Sequence, residues 1–344
     1  MKHRLLVMLL LSGITGSIWA QKTVNYKDMI LDHQRLWVLT TTGELRVFDM
    51  QQPPVPSGNL SSNAPIVALA IDRLSNIVIG DDQKHIKVYD SVRHVWRLLG
   101  NYTGTLYAIT FNTLNECYLL TSKGVVDYKT GKTYRSDSSH NIMAIHDRKW
   151  EGLSTWYMDP GDDLWIGFNY GEWGGDLQIF DTRLKCFRCF NMDLNILPVQ
   201  SICYGGGYVY VSTALCHFRT SGTIIRLRYY CGAEVFTNPP VRGTNGGEEQ
   251  EYVGPAVYSK GDSSLYFYSD RGIFKGHPDK HMSKSGNWEK VAEPHLLWAG
   301  GQPMAVGSPM NVRKLIIADD GRLIFLSQLN GIGVVNGDSI AFLP

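Results

Sequence analysis

Seven short apolar runs return along the chain, and each is followed by a turn and a second apolar run. The first runs begin at Leu36 (LWVL), Ile77 (IVIG), Cys117 (CYLL), Leu164 (LWIG), Val209 (VYVS), Leu265 (LYFY) and Leu315 (LIIA). Their partners are LRVFD ending at Asp49, IKVYD at Asp90, VVDY at Tyr128, LQIFD at Asp181, IIRLR at Arg228, GIFKG at Gly276 and LIFLS at Ser327. Runs of four or five aromatic and β-branched residues divided by turn residues form hairpins more readily than helices. No sustained i, i+3, i+4 pattern competes with that reading. A unit repeating every ~40–50 residues, with room for four strands, predicts an all-β fold: a seven-bladed propeller of four-stranded antiparallel blades. The rival architecture, two stacked β-sandwiches, has no need of a hairpin that returns seven times.

The runs are apolar on both faces instead of alternating, as expected of blades packed between other blades. The second position of each first run is Trp37, Val78, Tyr118, Trp165, Tyr210, Tyr266 or Ile316, and inter-blade packing is the expected role of all seven. Blades are placed at residues 22–60, 64–100, 104–135, 153–192, 198–237, 252–292 and 303–344, within one domain spanning 21–344. The polar segment Ser136–Gly152 separates blades 3 and 4, and the Gly/Pro/charge-rich stretch Asn238–Glu251 is expected to be a mobile loop. Blade 6 carries an insertion around His277–Trp288. The last runs, Gly331–Val335 and Ser339–Leu343, supply closing strands, one of which is placed to pair with the first blade and seal the ring.

The N-terminus, MKHRLLVMLLLSGITGSIWA, has a basic start (Lys2, His3, Arg4), an apolar stretch (Leu5–Leu11) and a small-residue exit ending at Ala20. That is the plan of a cleaved signal peptide covering residues 1–20. A membrane anchor needs roughly 20 apolar residues, and Gly13, Thr15 and Gly16 interrupt this run too early. A mature chain without membrane insertion, periplasmic or secreted, is therefore expected. Export would place Cys117, Cys186, Cys189, Cys203, Cys216 and Cys231 in an oxidising compartment, with disulfides expected among the five between 186 and 231. Their pairing stays open. Cys186 and Cys189 form a Cys-x-x-Cys pair in a strand-like run, which favours a structural role over redox or zinc chemistry.

A net charge of +1 with 19% charged residues gives no field of either sign to attract nucleic acid. Enzyme signatures are missing: no Gly-x-Ser-x-Gly elbow, no His-Glu-x-x-His, no phosphate loop and no EF-hand spacing occur. Asp159, Asp162 and Asp163 have the oxygens calcium prefers, but acidic turns entering strands recur at Asp81–Asp82 and Asp319–Asp320, and a polar turn is the better reading. His140 and His146, flanking an apolar run in a long loop, read as surface residues. No catalytic residue, metal or cofactor is assigned.

The stretches DDLWIGFNYGEWGGDLQIFDT (Asp162–Thr182) and LWVLTTTGELRVFDM (Leu36–Met50) resemble the periplasmic propeller repeats of hybrid two-component sensors, which typically read Leu-Trp-Ile-Gly-Thr, then Gly-Gly-Leu, then Phe-Asp. The match is good in blade 4, partial in blade 1 and faint elsewhere. VVDYKTGKTYR (Val125–Arg135) is somewhat similar to the quinoprotein propeller repeat. Both resemblances imply a propeller outside the cytoplasm and carry over no ligand, since fold does not fix function.

Propellers bind through loops, so two loops are the candidates. Phe168–Asp176 offers Tyr170, Glu172 and Trp173; Ala214–Gly222 offers His217, Phe218 and Arg219. Both join equivalent strands of adjacent blades and should lie side by side on one rim. Aromatic residues beside Glu, His and Arg suit a protein hot spot, although mutual packing of Trp173 and Phe218 would equally close the rim. The expected function is that of a non-catalytic, monomeric binding propeller with a protein partner. The alternative is a propeller enzyme, a lyase or hydrolase on a sugar or lactone, with its site at the central channel.

Overall fold

Each repeated hairpin lies inside a four-stranded antiparallel sheet whose strand order follows the chain. In the computed structural model the described residues are 25–343 apart from 52–53, 137–148, 189–196, 218, 229–230, 238–240, 243–247, 250–251, 279–286, 299–310 and 338. Blade 1 comprises β1 (Tyr26–Asp32), β2 (Arg35–Thr40), β3 (Leu45–Asp49) and β4 (Val55–Leu60), and blade 2 comprises β5 (Ile66–Ile71), β6 (Ile77–Asp81), β7 (His85–Asp90) and β8 (Val95–Asn101). Blade 3 holds β9 (Leu106–Phe111), β10 (Cys117–Thr121), β11 (Gly124–Asp127) and β12 (Thr133–Tyr134). Blade 4 holds β13 (Leu153–Met158), β14 (Asp163–Asn169), β15 (Gly175–Asp181) and β16 (Cys186–Phe187). In blade 5 are β17 (Val199–Gly205), β18 (Tyr208–His217), β19 (Arg219–Arg228) and β20 (Cys231–Thr237). A small hairpin follows, β21 (Val241–Arg242) with β22 (Glu248–Glu249), inside the stretch expected to be a loop. Blade 6 holds β23 (Val253–Ser259), β24 (Ser264–Ser269), β25 (Gly272–Gly276) and β26 (Glu289–Ala292), and blade 7 holds β27 (Val312–Ile317), β28 (Leu323–Ser327), β29 (Ile332–Asn336) and β30 (Ser339–Phe342).

First strands of successive blades stand side by side: β1, β5, β9, β13, β17, β23, β27, and β1 again. The result is a closed seven-bladed ring. Its core is divided accordingly, with one apolar cluster at each of the seven blade boundaries. Pleating explains why both faces of each second strand are apolar, because successive side chains point to opposite sides. Leu164 packs back toward blade 3, while its neighbour Trp165 packs forward against blade 5. The same alternation places Leu36 against blade 7 and Trp37 against blade 2.

Two expectations need correction. In blade 7 the run at Leu315 belongs to the first strand, and LIFLS is the second strand; Ile324, not Ile316, is the fully buried counterpart of Trp37. The acidic turn Asp319-Asp320-Gly321 made the earlier pair look like the repeated hairpin, while the glycines of GIGVV disguised the true third strand. Ring closure also differs. Both C-terminal runs pair within blade 7, and β4 supplies blade 1 with its own outer strand, so no strand is exchanged between the ends. Side chains join the seam instead: Met29, Leu36 and Phe48 pack on Ile324, Ile332 and Val334. Lys314 Nζ lies 2.8 Å from Asp28 Oδ1, and the Arg322 guanidinium donates to the Met50 carbonyl.

Candidate functional site

Seven inner strands running the same way give the channel two unlike ends. Turns between first and second strands, and between third and fourth, lie at one end; turns between second and third strands lie at the other. The cavity between them has a volume of about 1130 Å³ and is lined by residues from all seven inner strands.

At the first end the acidic turns are occupied by their own backbone. Asp159 Oδ1 accepts from the amides of Gly161 (2.8 Å) and Asp163 (3.0 Å), and its Oδ2 accepts from the Trp165 indole at 2.9 Å. Asp162, fully buried, accepts from the Thr113 amide and hydroxyl (both 2.7 Å) and from Arg183 Nε (2.8 Å). Arg188 ties Asp163 (2.9 Å) to Asp181 (2.7 Å). Asp72 and Asp181 cap their turns in the same way. Burial opposes ionisation of Asp162, but the bonds from Thr113 and Arg183 outweigh it and hold the carboxyl below its ordinary value. The oxygens that calcium would need are thus committed to N–H and O–H donors. A polar turn is what these aspartates form.

The second end is organised by the backbone. In every blade the first strand departs from regular pairing near its start: at Lys27, Val67, Tyr107, Ser154, Gln200, Gly254–Pro255 and Arg313. A β-bulge leaves one residue outside the ladder and re-aims its side chain. Seven bulges at one level make a ring, and Lys27, Val67, Tyr107, Ser154, Gln200, Pro255 and Arg313 all line the cavity. Their bonding differs sharply. Ser154 Oγ is within reach of the carbonyls of Gly167 (3.1 Å) and Val199 (2.8 Å), and Gln200 Nε2 donates to those of Pro198 and Ala214 (both 3.2 Å). Lys27 Nζ gives one bond to the Val67 carbonyl at 2.6 Å. Arg313 has no hydrogen-bond or ion-pair partner among the described residues. Water reaches it from the channel, yet the surrounding wall lowers its pKa with no counter-charge to offset the effect. Burial likewise lowers Lys27, opposed by Asp28.

Of the residues singled out from sequence, Tyr170, Glu172 and Trp173 sit at this second end, on the turn between β14 and β15. Tyr170 is half-buried, stacked on Phe168 at 5.9 Å, and its hydroxyl donates to the Lys149 carbonyl at 3.3 Å. Its phenol is a packing element, raised far above its usual pKa by burial and then by Asp176. Glu172 lines the cavity mouth, and Trp173 is 61% exposed. Strand β18 lies against this turn, so the two candidate segments are neighbours on one rim. The segment Ala214–Gly222 is not an open loop, however. Its backbone continues the ladder to the pair His217–Arg219, making β18 and β19 ten residues long. Phe218 and the side chains of His217 and Arg219 lie outside the described residues, as do His140, His146, residues 1–24 and the side chains of Cys189, Cys216 and Cys231.

Cys117, Cys186 and Cys203 are free thiols, so none of these three joins an expected disulfide. Burial pushes the Cys203 thiol up to about 12, and burial followed by Asp127 does the same to Cys117, which makes both inert. The bulge residues, Arg313 above all, were missed in the sequence. They share no residue type, and what they have in common is a place at the second or third residue of each first strand.

No family model matches the chain, and no curated protein matches it. Solved structures do. The computationally designed Ika8 protein is similar over 92% of this chain and 86% of its own (TM-score 0.55, 11% identity). The extracellular domain of the B. thetaiotaomicron protein BT4673, assigned to a one-component system, is similar over 94% of this chain (TM-score 0.58, 11% identity), and the match spans 40% of that chain. KlAtg21, solved with the coiled coil of AgAtg16, is similar over 93% of this chain and 98% of its own (TM-score 0.53, 10% identity). A designed protein, a sensor domain and a coiled-coil binder have only the fold in common. The likeness is one of fold.

Proposed function

We propose that this protein is a non-catalytic binding propeller that works outside the cytoplasm as a monomer and holds a protein partner on the rim carrying Tyr170, Glu172 and Trp173. The observation that carries this reading is Trp173, exposed by 61% on a Gly-flanked turn beside the hairpin of the ten-residue strands β18 and β19. Tryptophan is enriched among the residues that anchor protein interfaces. His217 and Arg219, the last backbone pair of that hairpin, and Phe218, which lies outside the described residues, complete the proposed contact set. Extracytoplasmic placement rests on the N-terminal signal pattern and on the resemblance to sensor propellers. In addition, no helix among the described residues is long and apolar enough to cross a membrane.

A pull-down from periplasmic extract tests the reading. A protein retained by the wild type and lost with Trp173→Ala supports it; identical retained sets overturn it. The mass of the exported protein should match a chain beginning at Gln21. A propeller enzyme acting at the channel is the second reading, favoured by the size of the cavity and the uncompensated cation in its wall. Among the described residues no group of three His, Cys, Asp or Glu side chains converges as a metal site would require.

A further inference from the structure

The bulge ring is polarised around its circumference. Blades 7 and 1 are neighbours, and their bulges carry the two cations Arg313 and Lys27. Blades 2 and 6 present Val67 and Pro255, blade 3 Tyr107, and blades 4 and 5 the internally bonded Ser154 and Gln200. The other charged groups in the lining are Asp28, Arg73, Glu172 and Lys314. Lys314 is neutralised by Asp28 at 2.8 Å. Arg73, at the opposite end, donates to the carbonyls of Asn112 (3.0 Å) and Phe111 (3.1 Å). Among the described residues that line the cavity, Arg313 is the one arginine with no hydrogen-bond or ion-pair partner.

We propose that this mouth is a carboxylate-binding site, in which Arg313, with Lys27 beside it, takes the acid group of a small organic acid whose body lies in the channel. A guanidinium presents paired N–H donors in a fixed fork that matches a carboxylate bidentately, and charge-assisted bonds of this kind are the strong ones. Lys27 spends one of its three N–H donors on Val67 and has two left. Beyond the cations the wall offers Tyr107, Trp156, Tyr157, Ile109 and Met158, interspersed with Thr110, Thr155, Asn169 and Ser201. The aromatic and apolar members suit a flat hydrocarbon body. An anion at Arg313 would also supply the counter-charge that the folded chain withholds. Arg313 and Lys27 lie on blades 7 and 1 and Trp173 on blade 4, and of the rim set only Glu172 also lines the cavity, so Arg313→Gln leaves the proposed protein partner untouched.

Benzoate is the test probe and benzamide its uncharged isostere, titrated calorimetrically into the full-length mature chain. Saturable benzoate binding is expected, with benzamide at least about tenfold weaker, as one charge-assisted bond predicts. Arg313→Gln should weaken benzoate by the same order, and Arg313→Lys by less, since the charge stays and the fork is lost. Unchanged thermal melts confirm that the variants fold. A crystal grown with 4-iodobenzoate should place the iodine in the channel and the carboxylate on Arg313. Absence of benzoate binding, equal binding of benzamide, or affinity indifferent to Arg313→Gln overturns the proposal, as does iodobenzoate bound at crystal concentration only.

Discussion

The two ends of the channel are made by the same repeat, yet they treat charge in opposite ways. At the turn end, Asp72, Asp159 and Asp181 are consumed by the amides of their own hairpins, Asp162 is consumed by the Thr113 amide and hydroxyl of blade 3, and Arg183 and Arg188 close what remains open. At the bulge end, Arg313 and Lys27 line the cavity on blades 7 and 1, and Trp173 stands exposed on the blade 4 turn. Geometry explains the difference. A tight turn strands backbone N–H groups that some acceptor must satisfy, so the turn end needs its carboxylates merely to fold. A bulged residue is outside the ladder and owes nothing to pairing. One end of the repeat uses up its polar groups, and the other leaves them over.

Acid should strike the turn end hardest; at the bulge end Asp81 is also held low, its burial outweighed by bonds from Lys87 and His85. Asp72, Asp127 and Asp162 are held below the ordinary carboxylate value; in each, burial pushes upward and hydrogen bonds from Asn76, Lys185 or Thr113 outweigh it. Such groups bind a proton less readily folded than unfolded. Their stabilisation is complete above the ordinary value of 3.8 and is lost as pH falls through the lower folded values. Urea midpoints should therefore be flat from pH 7 to about pH 5 and drop steeply below pH 4, the largest single effect expected. A midpoint that instead falls between pH 7 and 5 would place the sensitivity on histidines and detach it from these turns.

Asp162→Ala comes next in size. It strands the Thr113 amide and Arg183, and it leaves an alanine at a backbone φ of 68° that Asp tolerates better. A loss of about 2–3 kcal/mol in urea unfolding is expected, with Asp162→Asn, which keeps one acceptor and the turn preference, costing about half as much. Benzoate binding at the far end should not change.

These contrasts show what the sequence made legible. The ring was readable because the Leu-Trp-Ile-Gly pattern reports side chains alternating between two apolar neighbours, and Leu164 and Trp165 do face opposite blades. The turn aspartates were readable because their positions relative to the strands repeat. Blade 7 misled because its first turn imitates the acidic turn of the others. The missing strand exchange was hidden as well, since whether β4 or a C-terminal run fills the outer edge of blade 1 is a long-range choice. Arg313 lay beyond reach for a different reason. A bulge is a property of pairing between two strands, and nothing in the residue types Lys, Val, Tyr, Ser, Gln, Pro and Arg announces that they share one.

The smallest expected effect is the one that divides the two ends most cleanly. Trp173→Ala removes an exposed ring and should move the unfolding free energy by less than about 0.5 kcal/mol, in line with surface substitutions generally. Arg313→Gln should do as little, or even stabilise slightly. The guanidinium is partly desolvated by the channel wall and no described counter-charge repays it, so the folded state gains nothing by keeping it charged. The same Arg→Gln exchange at Arg183 or Arg188, which close the aspartate turns, should cost about 1 kcal/mol. If Arg313→Gln proves the more damaging of these in matched urea titrations, Arg313 is a structural residue like the others. The channel ends would then be alike in kind, with no side chain left over for a ligand.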